Sequence, residues 1–161
     1  MIILGIDPGT ARLGYGIVKT KARGGLDLVE SDVFVTAKEL DLQDRLLYLY
    51  NSLNSLIKKH SPDIMVIERL FFNTNTKTAI AVGQARGIIL LAAAGTKTPI
   101  HEYTALEAKL ALTGYGRSDK KVMQEAVKDI LGLDKIVKSD DANDGVAMAL
   151  CYVKKGNCGK C

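Results

Sequence analysis

Ile2 to Ile6 is a nearly unbroken apolar run closed by Asp7-Pro8-Gly9, the pattern of a buried strand that ends in a turn. Tyr15 to Lys19 and Leu26 to Val35 are rich in strand formers and flank the basic turn Lys21-Ala-Arg-Gly-Gly25, so an antiparallel hairpin is expected to continue the first strand. Leu42, Leu46, Leu49, Leu53 and Ile57 then recur at helical spacing, a stripe that stops at Ser61-Pro62 and is expected to cross one face of the sheet. Ile64 to Ile67 is again wholly apolar, and Glu68 follows it directly.

The second half alternates in the same way. Thr76 to Ala94 reads as a long helix whose Ala79, Gly83 and Gly87 form a face of small residues, suited to close packing on the sheet or on a second subunit. Pro99 to Tyr103 is a short strand, and Thr104 with Glu107 matches a capping box that starts a helix ending at Gly114. Another helix is expected from about Ser118 to Leu131, with Val122, Ala126 and Ile130 on one face, and a last helix begins near Asp140. The order βββαβαβααα predicts an α/β fold, a mixed sheet of about five strands flanked by helices on both faces.

Composition narrows this picture only a little. A length of 161 residues fits one domain, and 47% hydrophobic with 25% charged residues is ordinary for a folded chain. We read residues 1–155 as that domain and 156–161 as a flexible basic tail carrying cysteines. A net charge of +4 permits a nucleic-acid partner without arguing for one. Residues 79–94 come nearest to a membrane span, but Gln84 and Arg86 interrupt them, so a cytoplasmic protein without membrane contact is expected. Cys151, Cys158 and Cys161 crowd one end, which fits a reducing compartment rather than a disulfide framework. Three thiols also fall short of the usual four-ligand structural zinc site, although a site shared between subunits stays open.

The candidate chemistry is carboxylate. Asp7 and Glu68 end two apolar strands, where a charge is costly unless compensated. Asp141 and Asp144 lie three apart and project from one side of the last helix's first turn. Four acids around one point would repel one another and raise their pKa values unless cations were bound. Magnesium, a hard cation that prefers oxygen ligands, is the expected cofactor, two ions per site, with manganese as a substitute. Two ions roughly 3.5–4 Å apart can activate a water and stabilise the leaving oxygen of a phosphodiester. Singly, each acid has a plainer reading: Asp7 as a turn residue before Pro8-Gly9, Asp141 as a first-turn helix acid.

The segments Ile6-Asp7-Pro8-Gly9-Thr10, Gly14-Tyr-Gly16, Ile67-Glu68, Gly83-Gln-Ala-Arg-Gly87 and Asp141-Ala-Asn-Asp144, in this order, resemble the RuvC-type Holliday-junction resolvases over nearly the whole chain. The resemblance implies an RNase H-like fold with Asp7, Glu68, Asp141 and Asp144 as metal-binding catalytic residues. It implies paired, symmetric, metal-dependent nicking of a four-way DNA junction in recombination and repair, leaving 5′-phosphate and 3′-hydroxyl ends. It also implies a homodimer, because two symmetric cuts need two sites about a two-fold axis. A RuvA–RuvB branch-migration complex is the implied partner.

The segment Arg69-Leu-Phe71-Phe72-Asn-Thr-Asn-Thr-Lys77 is the next candidate for DNA contact, since an aromatic ring can stack on an unpaired base. The resemblance assigns that role to Phe71, while Phe72 reads equally well as core. Lys109 and Lys120 match family positions that contact phosphate or assist catalysis, with Arg117 and Lys121 adding charge nearby. His60 and His101 read as structural. Three rival functions remain. Asp7-Pro-Gly-Thr10 with Gly14 also resembles the phosphate-binding hairpin of actin-like ATPases, which need a second domain for which 161 residues leave no room. A related RNase H-like nuclease acting on another nucleic acid, or a junction-binding protein without catalysis, are the closer alternatives.

Overall fold

The computed structural model describes residues 1–22, 24–69 and 76–157. Phe71, Phe72, Cys158 and Cys161, singled out above, lie outside the described residues. The strands are β1 (Ile2–Asp7), β2 (Arg12–Thr20), β3 (Leu26–Val35), β4 (Ile64–Glu68) and β5 (Ile100–Tyr103). The helices are α1 (Leu42–His60), α2 (Thr76–Thr96), α3 (Ala105–Thr113), α4 (Lys120–Leu131) and α5 (Asp140–Lys154). The five strands form one sheet in the order β3-β2-β1-β4-β5. β1, β2 and β3 are antiparallel neighbours, while β4 lies parallel to β1 and to β5.

Alternation along each strand sends side chains to two separate cores. Leu4, Ile6, Leu13, Tyr15, Ile17, Met65 and Ile67 meet Leu49, Leu53, Leu56 and Ile57 of α1 and Ile89, Ala92 and Ala93 of α2. On the other face Ile3, Val18, Ile64 and Val66 meet Ala108 of α3, Met123 and Val127 of α4, and the buried run Val146–Tyr152 of α5. Helices on both faces of a mixed five-stranded sheet match the expected architecture.

Local signals set the element ends. Ser61 takes a left-handed conformation after α1, and its amide donates to the Ile57 carbonyl. The capping box forms as expected: the Thr104 hydroxyl accepts from the Glu107 amide, and the Thr104 amide donates to the Glu107 carboxylate at 2.9 Å. The face of α4 that reaches the core centres on Met123 and Val127; Val122 is 46% exposed, and Ile130 packs only at the edge. Both stripes are apolar in the sequence, and the position of α5 decides which one is covered. By length and composition Ala79–Thr96 is apolar enough to cross a membrane, as a core helix also can be, and here it packs its Ala85, Ile89, Ala92 and Ala93 inward.

Candidate active site

Asp7 is the last residue of β1 and Glu68 the last of β4. The two strands are parallel neighbours, with Ile6 beside Ile67, so both carboxylates emerge side by side at the strands' carboxyl ends. The third contribution comes from α5, and glycines set how close that helix comes. Asp7 pairs across the sheet with Gly14, and a Cβ on Gly14 would lie 1.9 Å from the Asp141 carbonyl oxygen. A Cβ on Gly16 would lie 2.3 Å from a Val146 methyl. The backbone of α5 therefore rests directly on β2, and its first turn hangs over the end of β1. Only residues without a side chain allow this contact.

The acids meet there in a low-dielectric setting. The protonated Asp7 carboxyl donates a hydrogen bond to Glu68. Burial, then the charge of Glu68 and that of Asp144, push the Asp7 pKa up to about 8. Burial also raises Glu68, against the hydrogen bond from Asp7 and the charge of Lys109. Asp144 is raised by burial and by Asp140 and Asp141, with Lys120 and Lys109 opposing. A cleft of roughly 180 Å³ opens beside these groups, lined by Glu68, Asp144, Lys109, Lys120, Ala105 and Met123 among others. The expected set of four acids is thus brought to one end of the sheet, and two of the expected lysines line the same cleft.

Asp141 behaves differently. Its Oδ2 accepts from Arg12 Nε at 2.5 Å, and Arg12 Nη2 reaches Ser139 Oγ at 3.5 Å. Asp140, one residue earlier, takes Lys120 at 3.0 Å and Gln124 at 2.9 Å. Among the described residues no three acidic, histidine or cysteine side chains stand close enough together to hold one ion. The donor set is nonetheless of the right type, hard oxygens from four carboxylates with raised pKa values at three of them.

Other expected residues fall into place around this centre. Arg69 leaves β4 directly after Glu68 and pairs with Glu102 at 3.5 Å, its side chain half exposed. Arg117 and Lys121 are exposed on the turn into α4 and on its first turn. His60 sits against Glu30 at 2.9 Å, a carboxylate that also accepts from Tyr15 and Lys59. Those partners, led by Lys59, hold Glu30 down at about 2. His101 stacks between Tyr103 and Tyr152. Both histidines are held by contacts within the protein. Cys151 is buried and its thiol pushed up to about 11 by burial. Asn157, at the start of the expected tail, donates to the Tyr103 hydroxyl.

Sequence reasoning missed two positioning groups. In the sequence Arg86 stands out only as part of a motif and as a break in the apolar stretch 79–94, yet its Nη1 donates to the Glu68 carbonyl at 2.8 Å and its Nη2 to Glu102 at 2.5 Å. Burial pushes Glu102 up, but Arg86 and then Arg69 hold it below the usual carboxylate value. Arg12 carries no local signal at all; only the tertiary placement of α5 gives it a partner.

The fold is RNase H-like, with an acidic centre at the carboxyl ends of β1 and β4. Residues 3–152 match the family model described as crossover junction endodeoxyribonuclease RuvC. The RuvC of Desulfitobacterium hafniense (strain DSM 10664 / DCB-2) is 46% identical over 157 residues, covering 98% of this chain and 94% of its own length. That of Moorella thermoacetica is 48% identical over 152 residues, covering 94% and 90%. T. thermophilus RuvC in complex with a Holliday junction substrate superposes with a TM-score of 0.91 at 28% identity, covering 97% of this chain and 94% of that one. The chain belongs to the RuvC family of crossover junction endodeoxyribonucleases.

Proposed function

We propose that this enzyme resolves four-way DNA junctions by hydrolysing one phosphodiester in each of two like strands, with Asp7, Glu68, Asp141 and Asp144 holding magnesium. The observation that carries the reading is the meeting of Asp7, Glu68 and Asp144 beside a cleft walled by Lys109 and Lys120, in a chain of this family. When bound, two divalent cations supply Lewis acidity for in-line displacement at phosphorus, and manganese substitutes for magnesium.

The chain's own groups do the rest. Asp7, Glu68, Asp141 and Asp144 would hold the cations, whose charge would favour the deprotonated form of Asp7. Lys109 and Lys120 draw a backbone phosphate into the cleft, and Arg117 and Lys121 extend the positive edge along which the strand lies. Arg69 and Phe71 begin the segment that meets the junction's unpaired region, Phe71 by stacking. The exposed stripe of α2, with Gly83, Gly87, Ile80 and Leu91, pairs two copies so that the two sites act together. The enzyme works in the cytoplasm beside a RuvA–RuvB branch-migration complex.

Purified enzyme incubated with a synthetic junction and with a linear duplex of the same sequence tests this. Paired cuts confined to the junction, present with magnesium and absent with chelator, are expected. Equal cutting of the linear duplex would turn the reading toward a less selective nuclease.

A further inference from the structure

Arg12 sits on an acidic helix end where Lys120 also pairs, with Asp140. Its guanidinium reaches the first turn of α5, beside the N-cap Ser139, and the positive end of a helix dipole disfavours a cation there. What holds it is one carboxylate oxygen, Asp141 Oδ2, at 2.5 Å. The Arg12 side chain is 50% exposed and that of Asp141 31%, so the contact is a largely solvated ion pair of the weak kind. Meanwhile the backbone of Asp141 is fixed by its contact with Gly14, so only the side chain has to turn to leave Arg12. Asp7, Glu68 and Asp144 interact electrostatically with one another a short way along the same surface, and Asp141 adds its charge to both Asp7 and Asp144.

We propose that Arg12 is the counter-cation of Asp141, and that a divalent cation completes the acidic site by displacing the Arg12 guanidinium from Asp141. The inference rests on the reading of Asp141 as a metal ligand. A divalent ion competes well: it brings twice the charge of a guanidinium, and the charges of Asp7 and Asp144 add to that of Asp141, whereas Arg12 engages Asp141 alone. The pair therefore keeps the acidic helix end docked on β2 without cation and yields when one arrives. Arg12 is a positioning residue here, and its removal raises affinity for metal, the opposite of what loss of a structural tether would do.

The test is Mn²⁺ binding, measured calorimetrically on the full chain without DNA, for the wild type, Arg12→Gln, Arg12→Lys, Asp141→Asn and the Arg12→Gln/Asp141→Asn double variant. Arg12→Gln is expected to bind Mn²⁺ about fivefold more tightly, the scale of one unit charge removed a few ångströms away in a mostly aqueous setting. Arg12→Lys, which keeps the charge, stays near the wild type. In the Asp141→Asn background the Arg12→Gln effect disappears, because the two residues act through one contact. Thermal unfolding gives a second readout: Arg12→Gln lowers Tm in chelator, and the deficit closes in saturating Mn²⁺. Unchanged or weaker Mn²⁺ binding by Arg12→Gln overturns the displacement model. If Asp7→Asn binds Mn²⁺ as the wild type does, the acidic-centre reading itself fails, and the displacement with it.

Discussion

Asp7 shows how burial and charge combine at one position. Its pKa of about 8 stands above its ordinary value of 3.8 because the carboxylate form is desolvated and faces Glu68 and Asp144. Between those two values the folded protein holds a proton that the unfolded chain has released. Asp7's contribution to the stability of the metal-free protein is therefore full below about pH 4, falls as pH rises through that window, and levels off above pH 8, while the lowered Glu30 and Glu107 act in the opposite direction below about pH 4. Urea midpoints in chelator at a series of pH values will show this decline, and Asp7→Asn will flatten it. The same variant is expected to lose junction cleavage and to retain junction binding, because Lys109 and Lys120 of the cleft remain. Gel shift and nicking assays on one preparation separate the two effects, and normal cleavage by Asp7→Asn would remove Asp7 from the metal site.

At the scale of elements, the site exists because α5 lies on β1 and β2 with almost no side chain between them. Gly14→Ala places a methyl group 1.9 Å from a backbone oxygen, which no side-chain rotation relieves. We expect a loss of about 2–3 kcal/mol in chemical denaturation, and loss of cleavage even where the variant stays folded, because the first turn of α5 is lifted from Asp7. Arg86 performs the matching task on the other side, linking α2 to the end of β4 through the Glu68 carbonyl and Glu102. Arg86→Ala leaves a partly buried carboxylate and a carbonyl short of a donor, for a cost of about 1–3 kcal/mol. Its kcat should fall more than its KM rises, since the end of β4 that carries Glu68 loses its support while Lys109 and Lys120 are untouched. Arg86→Lys should recover part of the stability and less of the rate, because one ammonium cannot span both acceptors as the forked guanidinium does.

For the whole molecule, the exposed face of α2 among the described residues is the surface on which the proposed second copy would dock. Ile80 is 65% exposed and Leu91 59%, on a helix whose opposite side fills the core with Ile89, Ala92 and Ala93. Leu91→Asp is expected to give monomers in sedimentation velocity while leaving the fold intact, since the side chain touches solvent rather than core. Junction cutting by that variant should appear as single, uncoordinated nicks. A variant that stays dimeric and cuts in pairs would move the interface elsewhere.

The sequence by itself determined the elements, their order and the identity of the acids. Short apolar runs ending in Asp7 and Glu68, a helical stripe from Leu42 to Ile57 and a capping box at Thr104 are local signals, and local signals survive without knowledge of the fold. It also marked Gly14 and Gly16 without giving their reason, which is contact between backbones far apart in the chain. Only the tertiary structure decided which stripe of α4 is buried, because Val122 and Met123 are equally apolar and α5 makes the choice. Only the tertiary structure gave Arg86 and Arg12 their roles, since each finds partners on a different element from its own. The raised pKa of Asp7 belongs to the same class: it arises from neighbours 61, 134 and 137 residues away in sequence (68 − 7, 141 − 7 and 144 − 7) together with the loss of water. Charge and burial act through space, so what they do to a side chain is settled only when the chain has folded.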